Sequence, residues 1–316
     1  MQETSRNSSP GYLIGLTATV LLSFTGILIS YLNRAYQLPS LVLAFWRDAF
    51  VVFGLVVAFA LFSRGRFQLR QSLWSFFLLY GLSLSLFNSM WTFSVQFNGA
   101  AIATVLAFSS PAMTAVLAHY ILHEQINRIK LLSIALSLPG IVLVSGAADP
   151  TAWKVNAAGI AFGLLTGFTF ACYNMLGKTS SNKGIDPWTT MLYGFTSAVV
   201  FLFLFNVLLN TMGGKGALAS FLWLGSSISG WTLLFLLGIG PTIGGFGLYL
   251  VSLGYLPATV ANLIGALEPA FTAIWAYLLF HEQLTIIQVI GSLLVFASVI
   301  LLRFGEERKV ASMVTS

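Results

Sequence analysis

The stretch "AIATVLAFSSPAMTAVLAHYILHEQ" (101–125) returns in altered form as "TVANLIGALEPAFTAIWAYLLFHEQL" (259–284). A shift of 158 residues aligns 102–145 onto 260–303 without a gap, and 12 of those 44 positions are identical. Ala103, Pro111, Ala112, Thr114, His123, Glu124 and Gln125 are among the identities. Each copy is a long apolar run with a proline near its middle and His-Glu-Gln at its end. Arg128 and Lys130 follow the first copy, whereas Ile286 and Gln288 stand at the same places after the second. The pattern is kept and the charges are lost.

Composition supplies the medium in which this happens. Hydrophobic residues make up 57% of the 316-residue chain and charged residues 8%, against roughly 25% charged in ordinary soluble domains. So few charges cannot cover a soluble surface, and the solvent must be mostly lipid. The net charge of +6 then reports orientation in a membrane, and no nucleic-acid partner is expected. One cysteine, Cys172, excludes an intramolecular disulfide. The apolar run after Pro10 is too long for a signal-peptide core and lacks a small-residue cleavage site, so it reads as a retained span.

A span needs about 20 mostly apolar residues. That ruler gives ten, at about 12–32, 39–62, 73–96, 99–122, 129–146, 156–177, 188–209, 231–254, 257–280 and 284–303. Only helices satisfy their own backbone hydrogen bonds in lipid, so the expected class is an all-α integral membrane protein. The loop 210–230 is the long one, and a small interfacial helix is expected in its middle. With the N-terminus in the cytoplasm, eleven Lys and Arg residues fall inside and three outside, with Arg47 left within a span. The positive-inside rule selects this orientation.

Five spans per copy is an odd number, so the second copy enters the membrane from the opposite face. Arg128 and Lys130 then lie in the cytoplasm, while Ile286 and Gln288 lie outside. The expected organisation is a cytoplasmic tail 1–11, a five-helix unit 12–146, an inverted five-helix unit 156–303 and a cytoplasmic tail 304–316. Inverted repeats belong to secondary transporters, in which one half rocks against the other around a central site.

The two quoted stretches, with "AFWRDAF" (44–50) and "FACYNMLGK" (170–178), resemble the EamA family of the drug/metabolite transporter superfamily over essentially the whole chain. The resemblance implies transport of amino acids, other metabolites or toxic compounds, with export the leading direction, across a bacterial cytoplasmic membrane. "LLGIGPTIGGFGLYL" departs from the symmetry: it is far richer in Gly and Pro than its partner "LYGLSLSLFNSMWTF".

Pro111 and Pro269 occupy equivalent places about 12 residues into their spans, close to the midplane at ~18 Å of rise. Broken helices at matching positions of two halves mark a substrate site. Ser110 and Glu268 lie beside the two breaks, and Pro241 adds a third break candidate. Arg47 and Asp48 are ionisable groups within a span and are functional candidates for that reason, with a structural ion pair the competing reading. Arg47 lies about 12 Å below the outer face and Glu268 about 14 Å below it, so a shared network between them is expected. Asp48 and Glu268 are the candidates for proton coupling. Asn88, Tyr173, Asn174 and Asn262 add uncharged polar groups at membrane depth, suited to a small polar or zwitterionic metabolite. Trp91 and Tyr249 align at the 158-residue offset and offer two rings to stack a substrate, with core packing the competing reading.

HEQIN and HEQLT lack the second histidine of a zinc hydrolase, and His119 and His123 have no third ligand nearby, so no metal is expected. "GKTS" (177–180) has Cys172 where a phosphate-binding loop needs glycine. No catalytic triad or cofactor motif is present, and an enzyme is not expected. A passive facilitator and an importer are the alternatives to an exporter. The expected partners are a small-molecule substrate and the bilayer; both monomer and dimer fit.

Overall fold

The computed structural model describes residues 9–36, 38–62, 73–150, 156–211, 225–280 and 285–314. The 63–71 loop, Lys154, the middle of the long loop (212–224) and the second His-Glu-Gln (281–283) lie outside the described residues. Helices follow one another along the chain: α1 (Ser9–Tyr36), α2 (Ser40–Phe62), α3 (Trp74–Ala107), α4 (Ser110–Leu122), α5 (Arg128–Val144), α6 (Ala157–Asn182) and α7 (Pro187–Thr211). Then come α8 (Ile228–Leu237), a π-helical segment (Gly238–Ile243), α9 (Gly244–Tyr255), α10 (Ala258–Gly265), α11 (Glu268–Phe280) and α12 (Ile286–Val314).

Eight helical stretches are long and apolar enough to cross a membrane. The remaining two of the ten expected spans are shorter helices. α5 has 17 residues, and the expected span 257–280 is divided into α10, of 8 residues, and α11, of 13. The last helix runs past 303 to Val314 instead of ending there. The expected loop at 97–98 is also replaced, since helical backbone continues from Trp74 to Ala107. Its neighbours nevertheless reverse. Phe87 stacks on Phe170 and Phe97 on Phe162, whereas Leu106 lies against Gly163 and Ser109 against Gly167. The chain therefore turns back between 97 and 106 with no intervening loop.

Polarity is arranged for lipid. Phe53, Leu61, Phe62, Leu204, Leu208, Leu293 and Ile300 are exposed, while Arg47, Asp48, Asn88, Asn174 and Asn262 are buried. Lipid is as apolar as leucine, so helix association depends on close packing and interhelical hydrogen bonds. Small residues allow the close approach. A Cβ on Gly291 would stand 2.6 Å from the Val144 nitrogen and 2.7 Å from the Gly140 carbonyl oxygen, so α5 and α12 touch backbone to backbone.

The helices that occupy matching places in the two sequence copies pack antiparallel to each other. In α2 and α7, the Asn206 amide donates to the Leu41 carbonyl at 3.2 Å, while Phe45 lies near Phe203. In α5 and α12, Gly140 faces Val295 and Gly291 faces Val144. The matching spans 99–122 and 257–280 also meet antiparallel, through the second part of one (α4) and the first part of the other (α10): Ser110 meets Asn262 while Glu124 meets Ala258. The packing of α1 on α9 is matched by that of α6 on α3.

Candidate functional site

Helix α4 starts where α3 is broken. Phe108 and Ser109 form the break, and the Ser109 hydroxyl donates to the Leu106 carbonyl at 2.6 Å. Pro111 sits in the first turn of α4, where its missing N–H removes no helical bond. The second break falls at Ala266–Leu267, and Pro269 follows Glu268 in the first turn of α11. Both prolines therefore restart a helix in mid-span.

The two broken helices are tied together. Asn262 of α10 donates from Nδ2 to Thr114 Oγ1 at 2.7 Å and to Ser110 Oγ at 3.3 Å. All three side chains are fully buried. The sequence marks Ser110 and Asn262 by residue type and depth alone. Thr114 completes their contact; it lies one helical turn after Ser110, and that i, i+4 spacing is the signal that points to it.

Arg47 does not join Glu268. Its Nε and Nη2 lie 2.9 and 2.8 Å from Asp48 Oδ1, and Nη2 also donates to Asn88 Oδ1 at 3.1 Å. Asn88 Nδ2 in turn donates to Asp48 Oδ2 at 3.4 Å. These contacts close a buried ring of three side chains between α2 and α3. Among the described residues, no hydrogen bond or ion pair joins Arg47 to Glu268. Packing explains the correction: α2 lies on α7, α8 and the π-helical segment, and the Arg47 guanidinium finds its own neighbour first.

Glu268 is half-buried, and its carboxylate makes no hydrogen bond or ion pair among the described residues. Its carbonyl accepts from Thr272 Oγ1 at 2.9 Å, and the same hydroxyl lies 3.2 Å from the Ser23 carbonyl of α1. Trp275 Nε1 donates to Ser23 Oγ at 3.0 Å, and its ring stacks on Phe24 at 4.3 Å. Trp91 is half-buried and has no ring partner among the described residues. No ring contact joins it to Tyr249 among the described residues.

Tyr249 instead donates to Asn174 Oδ1 at 2.6 Å. Around that bond, Tyr80 lies 4.8 Å from Tyr173 and Phe170 stacks 5.9 Å from Tyr173. The Tyr80 and Tyr173 hydroxyls and the Asn174 amide nitrogen are buried with no hydrogen-bond partner among the described residues. Nothing in the sequence marks Tyr80, because an isolated tyrosine in an aromatic-rich helix carries no pattern. The cluster packs α3, α6 and α9 against one another.

Pro241 lies inside the π-helical segment. Thr242 Oγ1 donates to the Leu237 carbonyl at 2.7 Å, meeting an acceptor that the irregular ladder exposes. Gly238 rests on the Arg47 carbonyl, so the irregular turn abuts the Arg47–Asp48–Asn88 ring. Single π-turns recur at functional sites. The matching helix, α3, has no such turn at 74–97, as the Gly- and Pro-poor sequence there foretells.

The model of the EamA-like transporter family matches residues 9–146 and, a second time, 157–304. The chain belongs to the EamA-like transporter family. It is 26% identical over 316 residues to an uncharacterized inner membrane transporter, YicL, of Salmonella typhimurium, covering 95% of this chain and 97% of that protein. An S-adenosylmethionine uptake transporter of Rickettsia bellii is 25% identical, over 99% of this chain and all of that protein. An uncharacterized transporter of Archaeoglobus fulgidus is 25% identical, over 70% of this chain and 74% of its own length. A solved crystal structure superposes with a TM-score of 0.75 at 14% identity, covering 95% of this chain and 98% of the other, and so shares the fold. This EamA-like protein is a multi-pass membrane transporter by family.

Proposed function

We propose that this EamA-like protein is a secondary carrier of small amphipathic metabolites, amino-acid-like compounds foremost, working by alternating access between two inverted five-helix halves. The single observation that carries the reading is the Asn262–Thr114–Ser110 contact. It joins two mid-span helix breaks that stand at matching places in the two halves. Ten spans follow if α5 and the broken pair α10–α11 cross the bilayer as the other eight stretches do. Inversion is supported by the antiparallel packing of α2 with α7 and α5 with α12, and of α4 with α10, the first part of the span that matches its own. A two-fold axis in the membrane plane makes matching helices antiparallel; an axis along the normal would make them parallel.

The proposed direction is export from the cytoplasm of a bacterium, with both termini inside. The Rickettsia relative favours a second reading, uptake, since its name records that direction. Glu268 is the proposed proton-coupling group: an intramembrane carboxylate with no partner among the described residues needs a proton or a substrate cation to balance it. Asp48 is already engaged by Arg47 and Asn88. Reconstituted vesicles with an imposed pH gradient test the assignment. Glu268→Gln is expected to keep counterflow and to lose gradient-driven accumulation. Normal pH-dependent accumulation by that variant would make Glu268 structural.

A further inference from the structure

The first His-Glu-Gln motif does more than end a helix. His123 takes φ 58°, a left-handed conformation, and the Glu124 N–H closes back on the Ala118 carbonyl at 3.0 Å. His119 Nδ1 lies 3.0 Å from the Glu124 carbonyl oxygen. This sharp stop turns the Glu124 side chain away from α4 and across to the other half of the molecule. There Oε1 accepts from the Ala258 N–H at 2.7 Å, and Oε2 accepts from Thr259 Oγ1 at 2.9 Å.

Those groups are the start of α10. Its N-cap residue is Pro257, which has no side-chain oxygen to satisfy the free N–H groups of the first turn. Glu124 supplies that acceptor from a distant segment, and its charge suits the positive end of the helix. Lys130, 3.9 Å from Oε2, steadies the carboxylate. On the other side of the same corner, Lys178 Nζ donates to the Leu253 and Leu256 carbonyls at 2.8 Å each, at the end of α9. The α9–α10 corner is thus held at both ends by charges of the sign each helix end prefers. Lys178 belongs to the second half, as the corner does, whereas Glu124 reaches across from the first.

We propose that Glu124 is the latch that holds the transport pathway shut at this end of the molecule. This rests on the alternating-access reading. Rocking the halves apart here must withdraw the end of α4 from the start of α10, which breaks two charge-assisted hydrogen bonds and leaves the Ala258 N–H uncapped. The tyrosine cluster of Tyr80, Tyr173 and Tyr249 lies one to two turns before this corner along α6 and α9.

Double electron–electron resonance between spin labels at Ile126 and Lys183, in a Cys172→Ser background, reads the opening directly. Both positions are exposed; one lies beside Glu124 and the other just beyond the helix that Lys178 fastens to the corner. Glu124→Ala is expected to raise the long-distance population about tenfold over wild type, the scale of losing bonds to a charged group. Thr259→Val, which removes one donor alone, is expected to raise it by a smaller factor. Unmoved distances in both variants overturn the proposal, even with a lowered Tm, because that is the behaviour of a plain helix cap. If Glu124→Ala does not fold, Glu124→Gln and Thr259→Val decide it by the same rule. The readout is a distance, so absence of flux in every variant, wild type included, would count against the carrier reading and not against the latch.

Discussion

The Asn262 amide nitrogen donates to the Thr114 hydroxyl at 2.7 Å, and this bond joins α10 to α4 within about a turn of each helix break. Leaving such a group unpaired is costly, because a site buried among helices in lipid offers no solvent to replace the partner. Asn262→Leu therefore strands the buried Thr114 and Ser110 hydroxyls. A loss of about 1–3 kcal/mol is expected, seen as a lower Tm of the detergent-solubilised protein. In the double variant with Thr114→Val, part of the loss should return, and additive losses would show that the contact is not coupled.

Arg47 and Asp48 make a second test of buried polarity. The Asp48 side chain has no solvent exposure, so Arg47→Leu leaves a buried carboxylate facing only Asn88. The expected destabilisation is about 3–5 kcal/mol. Adding Asp48→Asn removes the stranded charge and should recover a good part of it. Thermal melts of the two variants in the same detergent provide the comparison.

At Gly291 the packing has no room for a methyl group. A Cβ there would fall 2.6 Å from backbone nitrogen, an atom that cannot swing aside. Gly291→Ala must push α5 and α12 apart, at about 1–3 kcal/mol for overpacking. Gly184, where a Cβ would meet nothing within 4 Å, is a poor control because its φ is +71°. Ser292→Ala, on the same helix, is the better one, with a Tm close to that of wild type.

The proposed membrane sidedness rests on the charge count of the sequence. With native Cys172 replaced by Ser, a cysteine at Lys183 should react with a membrane-impermeant maleimide only from the cytoplasmic side, and one at Ala148 only from outside. Both positions are exposed. Labelling of the first from outside in intact cells would reverse the proposed orientation.

Much of this is legible in the sequence, and the physical reason is that lipid imposes strong patterns. Length and apolarity locate helices, and the gapless 158-residue offset marks the two halves before any contact is known. The mid-span breaks just before Pro111 and Pro269 and the irregular turn at Pro241 are legible for a related reason: proline cannot carry an ordinary helix on from the turn before it, so it marks a restart or an irregular turn. Partner choice is not. Arg47 has several groups at similar depth, and depth alone cannot separate Glu268 from the adjacent Asp48, which the long guanidinium arm reaches by bending back. Glu124 reads as a plain helix end because its partners lie 134 and 135 residues away. No local pattern encodes a contact between helices so far apart.

The most direct test of the carrier reading is trans-stimulated exchange in vesicles containing the purified protein. A thermal-shift screen against amino acids, nucleosides, sugars and organic cations, S-adenosylmethionine among them, first selects the compound that stabilises the protein. Labelled compound is then followed across the membrane with and without unlabelled compound on the far side. An alternating-access carrier should speed the labelled flux several-fold when the far side is loaded, because a loaded carrier returns in place of an empty one. Labelled flux that follows its own gradient alone, unchanged by substrate on the far side, would contradict the account and leave a passive facilitator in its place.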